Sequence, residues 1–442
     1  MEPAAKRNLF ISNNRHRAPQ ADGFFICTLL WKGNHPLLNP TVTLESIRAA
    51  RDRISGHIYL SPARHSAGLS EITGQQVFLK LDNLQRTGAF KERGALNKIL
   101  TLTDDERRRG VIAASAGNHA QAVAFHASQN GIRARIVMPL MTPLVKVAAT
   151  SSYGADVVLH GADYDEACAE AIRQGAADGL TFLHPFDDDE VIAGQGTIGL
   201  ELLEQVPDLE AVVVPIGGGG LIGGVACVIK ESNPNIRVIG VQTERLPSML
   251  RAREAGHPVT IPAEATIADG IAVRRAGERT VPLVAKYVDE LVTVDEEEIA
   301  SAILVLLERE KTLAEGAGAA ALAALLQKKT TLNGHRTAVL VCGGNIDVTL
   351  LSKIIERGLV KDGRWIRIRI HLTDRPGSLH HLTKIIADLR ANIVQTAYDR
   401  AYYGVSLGDT VIDFTLETRG AGHIKEIDAA LTTAGYRHEQ IE

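Results

Sequence analysis

Aromatic side chains are scarce in this chain, at 4% of 442 residues, which argues against the stacked ring platforms that bind single-stranded nucleic acid. Neither sign of charge dominates: a net charge of −4 gives no field that would draw in nucleic acid or an anionic membrane. Cys27, Cys168, Cys227 and Cys342 are scattered with no Cys-x-x-Cys pair. Neither a disulfide framework nor a structural zinc site is therefore expected, and a reducing cytoplasmic compartment is. No apolar run approaches the roughly 18 residues of a membrane span, so no membrane association is expected. Internal repeats and low-complexity tracts are missing, as is a Gly-Lys-Ser/Thr loop, which excludes a P-loop nucleotidase. What is present, 45% hydrophobic and 23% charged residues, is ordinary for a globular protein of two or three domains.

Residues 1–40 read as a poorly ordered N-terminal extension. Lys6, Arg7, Arg15 and Arg17 precede an apolar run from Phe24 to Trp31, but Thr28 breaks it and no small-residue cleavage site follows, against a signal peptide. Residues 41–356 repeat a pattern of apolar strand, short loop and helix. Strands are expected at Gly110–Ala114, Arg135–Pro139, Asp156–Leu159, Ala211–Ile216, Arg237–Gln242 and Thr337–Val341, and helices at Glu92–Leu100 and Ala120–Ser128. Near-continuous Val/Ile runs alternating with helices mean a parallel sheet covered on both faces, an α/β fold. Residues 357–364 read as a polar linker. Beyond it Ile366, Ile368, Ile370 and Leu372 alternate with charged residues, a strand with one wet face. A helix through Leu379–Leu389, strands over Asn392–Tyr403 and Thr410–Thr418, a helix over His423–Ala434 and a last short strand make residues 365–442 a separate βαββαβ domain.

Three strand-to-helix loops and one lysine carry the chemistry. Lys91 follows Phe90 at the mouth of a helix, where an apolar wall would lower the pKa of an amine that attacks a carbonyl; most lysines are merely surface charges. Gly217-Gly218-Gly219-Gly220-Leu221 joins a buried strand to a helix, so backbone N–H groups and the helix dipole converge on an anion, most naturally a phosphate. A tight turn alone seldom needs four successive glycines. Gly218, Gly220 and Gly223, with Glu244 on the next strand, also satisfy a dinucleotide fingerprint, which keeps an NAD-dependent dehydrogenase as an alternative. Ser115-Ala116-Gly117-Asn118-His119 is rich in groups that hold a carboxylate, although His119 alone is an ordinary structural residue. Cys342 ends another strand in Cys342-Gly-Gly-Asn, where a cysteine is often just a small buried side chain. One reactive lysine, a phosphate cradle, a carboxylate loop and a thiol form the parts list for pyridoxal 5'-phosphate acting on an amino acid.

Taken with His184-Pro-Phe-Asp-Asp and Ala193-Gly-Gln-Gly-Thr, these motifs resemble, in order, those of the fold type II pyridoxal phosphate enzymes, and among them the threonine dehydratases (threonine ammonia-lyases). The likeness spans 41–356 and implies a tryptophan synthase β-like fold of two open parallel-sheet subdomains. Leu372-Thr-Asp-Arg-Pro-Gly-Ser-Leu379 looks like the start of a single ACT regulatory domain. The resemblance implies that Lys91 carries the cofactor covalently and then serves as the base that removes the substrate α-proton. Asn118 would bond the cofactor's 3′-oxygen and the amides of Gly217–Leu221 its phosphate. Cys342, in place of a commoner serine, would face the ring nitrogen. A thiol does not keep that nitrogen protonated, which favours β-elimination over a long-lived carbanion. Phe90 and Glu315 fall at positions facing the cofactor, the latter without an assigned role. Ser115, Ala116, Gly117, Asn118 and His119 would hold the substrate carboxylate. An amino-acid effector would sit near Asp374, Arg375, Pro376, Gly377, Ser378 and Leu379, where Pro-Gly is otherwise plain turn chemistry.

The implied reaction is elimination from L-threonine to 2-oxobutanoate and ammonia, with L-serine a second substrate and a homodimer or homotetramer as the assembly. Related serine racemases carry two serines where this chain has Ser115-Ala116; Ala116 has no proton to give to the opposite face, so racemisation is expected to be weak. No divalent metal site is expected. A serine or 3-hydroxyaspartate dehydratase or racemase of the same fold stays open, as does a non-catalytic amino-acid sensor, which a retained Lys91 argues against.

Overall fold

The computed structural model describes residues 42–399 and 405–441; the expected extension at 1–40 lies outside them. Two compact units are present, one comprising the chain through Glu296 together with Ala314–Asn345, the other Glu297–Leu313 with the chain from Ile346 on.

The first unit holds two sheets. The larger runs Ala63–His65, Gln76–Leu81, Arg336–Val341, Ala211–Pro215, Arg237–Thr243 and Glu290–Val294 from edge to edge. All neighbours are parallel except the first pair. The smaller sheet is wholly parallel, in the order Asp156–Leu159, Ala134–Met138, Val111–Ala114 and Thr181–Phe182. Every residue of Ala211–Pro215 and of Val111–Ala114 is buried, as strands covered on both faces must be. The expected α/β class with two open sheets is what the chain adopts, the larger sheet departing from all-parallel only at its Ala63–His65 edge strand, and the strand boundaries fall within a residue or so of those read from the Val/Ile runs.

The helix Asp189–Gln205 organises this unit. Its Ala193-Gly-Gln-Gly-Thr stretch lies against the lysine helix, Lys91–Leu100, and also against the helix that follows the four glycines, Gly220–Ser232. A Cβ on Gly194 would stand 2.6 Å from the carbonyl oxygen of Arg93, and one on Gly196 would stand 3.0 Å from that of Gly224. Three helices thus meet backbone to backbone, which only small residues allow, and the two glycine-containing motifs exist to bring the lysine and the anion loop onto one support.

The second unit contains a four-stranded antiparallel sheet ordered Asn392–Asp399, Asp409–Glu417, Trp365–Thr373, Arg437–Ile441. With the helices Ser378–Asp388 and Ala421–Thr433 it is the expected βαββαβ domain. Ile366, Ile368, Ile370 and Leu372 face its core with Leu382, Ile386, Ile427 and Leu431. The end of the strand expected to reach Tyr403 lies outside the described residues. The expected linker differs: residues 357–361 complete the helix Val348–Lys361. Arg357 pairs with Glu297 at 2.6 Å and Arg364 with Glu308 at 2.9 Å, so this stretch packs on the Glu296–Arg309 helix. Its polarity reflects one wet helix face, which local composition does not distinguish from a linker.

Candidate active site

Lys91 opens its helix because the backbone ahead of it is tied down. The Phe90 N–H donates to the Cys342 carbonyl at 3.0 Å, Ala89 bridges Gly343, and the Glu92 carboxylate accepts the Thr87 N–H. The Lys91 ammonium donates to the Pro185 carbonyl at 2.7 Å and lies 5.2 Å from the Phe90 ring centroid. Burial lowers its pKa to about 8, against an opposing pull from Cys342 and Glu315. The wall anticipated beside the amine is therefore there.

Cys342, Glu315, Asn118 and Asn345 cluster beside it. Burial, reinforced by the charge of Glu315, pushes the Cys342 thiol well up, so it stays a neutral thiol; its Sγ lies 3.6 Å from the Ala317 carbonyl. Glu315 is buried, and burial together with Asp269 raises its pKa to about 7. Glu315 Oε1 accepts from Asn118 Nδ2 at 2.6 Å, while Asn118 Oδ1 accepts from Asn345 Nδ2 at 2.8 Å. The Asn118 amide is held from both ends, with its NH₂ turned towards the acid. Asn345 was visible as the last residue of Cys342-Gly-Gly-Asn, but its clamp on Asn118 was not.

The four glycines turn tightly. Gly219 adopts φ +98, and a Cβ there would stand 2.7 Å from Thr280 Oγ1. A Cβ on Gly220 would lie 2.7 Å from the Phe186 carbonyl, and one on Gly218 would overlap the Phe186 ring. Side chains are excluded on that flank, and the 13-residue helix Gly220–Ser232 directs its N-terminus at the loop. The same segment that accepts from Lys91, Pro185–Phe186, thus touches the glycine loop.

The Ser115–His119 stretch runs into the helix Asn118–Gln129, which begins at its last two residues and whose first turn offers backbone N–H groups to an anion. Ser115 Oγ accepts the Gly117 N–H at 3.1 Å, and Ala116 and Gly117 are half-buried. His119 is the exception to the expected arrangement. Its Nε2 bonds the Leu183 carbonyl at 3.0 Å, and burial, with the charge of Lys91, lowers its pKa to about 3. The ring is neutral and donates to Leu183, which leaves the His119 backbone N–H rather than its imidazole for a carboxylate.

A buried ionic network lies behind the lysine helix and has no local signal in the sequence. Arg93 Nε donates to Asp82 Oδ2 at 2.7 Å and its Nη1 to Glu201 Oε1 at 2.6 Å; Lys80 Nζ donates to Glu201 Oε2 at 2.6 Å and to the Ser61 carbonyl at 2.5 Å. Burial raises the cost of ionising Asp82, yet the adjacent Arg93 guanidinium outweighs it and holds the carboxyl below its usual range. Burial pulls Lys80 down despite Glu201. Lys80 is the one charged residue of the strand Gln76–Leu81 and is buried. The partners lie far apart in sequence, so no local signal marks them.

The chain matches the family of pyridoxal-phosphate dependent enzymes over residues 54–343. It belongs to that family. The L-threonine ammonia-lyase of Thermotoga maritima is 49% identical over 395 residues, covering 89% of this chain and 98% of that protein. Among solved structures, a processed threonine deaminase isoform from Solanum lycopersicum aligns with a TM-score of 0.67 at 37% identity, over 73% of this chain and 97% of that one. Maize serine racemase aligns with a TM-score of 0.68 at 35% identity, over 72% and 98%. Pyridoxal phosphate is therefore the cofactor, and the dinucleotide reading of the glycines falls away. The site fits it: a buried amine of lowered pKa, a cradle that a Cβ would fill, and a neutral thiol.

Proposed function

We propose that this chain is an L-threonine ammonia-lyase that also accepts L-serine, with Lys91 as its catalytic base. The observation that carries this reading is the Lys91 amine, set at a pKa of about 8 among Phe90, Cys342 and Glu315; the high identity to threonine ammonia-lyases supports the choice of substrate.

When bound, pyridoxal phosphate supplies an electron sink that acidifies the substrate's Cα–H bond. The chain's residues divide the remaining work. Lys91 Nζ would hold the cofactor and, when free, would take the Cα proton. About half of such an amine is neutral at pH 8, where an ordinary lysine is almost wholly protonated. The amides of Gly217–Leu221 would bind the phosphate, and Asn118, clamped by Glu315 and Asn345, would bond the 3′-oxygen. Ser115 Oγ and the amides of 117–119 hold the carboxylate. Loss of the Cα proton and the β-hydroxyl as water leaves 2-aminocrotonate, which tautomerises and hydrolyses to 2-oxobutanoate and ammonium.

A racemase reading draws on the maize likeness, but Ala116 presents a methyl group where an opposite-face proton donor would be needed. The βαββαβ domain acts as an ACT-like regulatory module in a cytoplasmic homo-oligomer, binding an amino acid at Asp374–Leu379. Gly377 there adopts φ 90 before the Ser378–Asp388 helix, and most of the loop is exposed. Incubating the holoenzyme with L-threonine tests the central reading: 2-oxobutanoate should accumulate with the parent and not with Lys91→Ala. Formation of D-allo-threonine, the product of inversion at Cα alone, at a comparable rate would favour the racemase.

A further inference from the structure

The His184–Asp188 turn carries more contacts than its length requires, and one of its residues leads to the cofactor's phosphate. Asp188 caps the Asp189–Gln205 helix and pairs with Lys98 at 2.6 Å. Asp189 pairs with Arg279 at 3.0 Å. Asp187 does something else. Its Oδ1 accepts the Arg279 N–H at 2.9 Å and its Oδ2 accepts the Glu278 N–H at 3.1 Å, fastening the turn that begins the Thr280–Tyr287 helix.

That turn holds the glycine loop by a single carbonyl. Buried Thr280 donates its hydroxyl to the Gly218 carbonyl at 2.6 Å, and the Gly277 N–H reaches the same oxygen at 3.2 Å. Thr280 Oγ1 in turn lies 3.1 Å from the Gly277 nitrogen, as its acceptor. A trans peptide is planar, with its C=O and the following N–H antiparallel. Fixing the Gly218 carbonyl towards residues 277–280 therefore fixes the Gly219 N–H in the opposite direction, away from that turn. Gly219 is the residue at φ +98, with no side chain of its own to set the peptide's orientation. Asp187 is itself aimed by His184, whose Nδ1 accepts the Asp187 N–H at 2.7 Å and the Phe186 N–H at 3.2 Å. Burial keeps this imidazole neutral and able to accept.

We propose that Asp187 is a positioning residue for the cofactor's phosphate group, acting through Gly277–Thr280 to set the direction of the Gly219 N–H. The proposal rests on the reading of Gly217–Leu221 as the phosphate cradle. It assigns to the fourth residue of His184-Pro-Phe-Asp-Asp a role beyond fastening the start of the Thr280–Tyr287 helix.

The test compares two ligands on full-length apoprotein, pyridoxal phosphate and pyridoxal, which share the reactive aldehyde and differ only in the phosphate. Binding is followed by the absorbance of the lysine-linked chromophore. Thr280→Val and Asp187→Ala are each expected to weaken pyridoxal phosphate about tenfold or more, the scale of one well-placed hydrogen bond to an anion. Pyridoxal affinity should change less than about twofold, and Thr280→Ser, which keeps the hydroxyl, should stay close to the parent. Should Asp187→Ala not fold, Asp187→Asn takes its place: it keeps the side chain's size and one acceptor oxygen but loses the second acceptor for the Glu278 and Arg279 N–H groups, and the same selective weakening of pyridoxal phosphate is expected. Equal weakening of both ligands, or of neither, overturns the role of Asp187. A parent protein that binds pyridoxal as tightly as pyridoxal phosphate overturns the cradle reading instead.

Discussion

Lys91 and Glu315 form a buried acid–base pair whose pKa values, about 8 and about 7, have been drawn together by the same cause, burial. The amine's capture of an aldehyde needs its neutral form, so the rate at which apoprotein takes up pyridoxal phosphate should rise with pH through about 8. An unperturbed lysine would need a pH above 10. A negative Glu315 stabilises the ammonium, so Glu315→Gln should move this profile to lower pH; stopped-flow absorbance across pH 6–10 measures both. Burying the amine also costs folding stability. Since the folded pKa lies below the unfolded one, both states are protonated below pH 8 and the folded state bears the full cost there. Lys91→Met should abolish turnover while the apoprotein melts no lower than the parent at pH 7. The motif around Lys91 was legible because its neighbours in sequence are its neighbours in space. The roles of Glu315 and Asn345 were not, since each acts on Asn118 across some two hundred residues of chain.

At the scale of elements, the lysine helix is placed by two devices. One is close backbone approach: Gly194→Ala would press a methyl group onto the Arg93 carbonyl and Gly94 Cα, at 2.6 and 2.7 Å, and so shift the helix that carries Lys91. Cofactor affinity should fall together with thermal stability. The other device is the charge cluster of Lys80, Asp82, Arg93 and Glu201. Arg93→Met leaves two buried carboxylates with lysine alone and should destabilise the apoprotein by about 3–5 kcal/mol, read from urea unfolding. Strands were easy to read because Val/Ile runs report burial directly. Arg93 was not, because a buried charge is recognised by partners that only the fold brings near.

At the scale of the molecule, the matched 72% of this chain covers 98% of the maize enzyme, so that a racemase of this fold is complete without the remainder. The Thermotoga maritima match, at 395 residues, is longer than the 345 that precede Ile346 and therefore reaches into the C-terminal unit. A chain ended after Lys361 should keep its rate on saturating L-threonine within about twofold while losing any response to an amino-acid effector. Initial rates with and without candidate amino acids check this. The period-two pattern of Ile366–Leu372 announced the antiparallel domain. The contribution of Glu297–Leu313 to its unit left no mark, because an amphipathic helix does not say which neighbour its apolar face meets.

The most direct measurement is borohydride reduction of the holoenzyme followed by peptide mass mapping. The pyridoxyl mass is expected on the peptide bearing Lys91, and it should vanish when the protein is first depleted of cofactor. Label on another lysine, or no label on a protein with bound pyridoxal phosphate, would contradict the assignment of Lys91 as the residue on which this site is built.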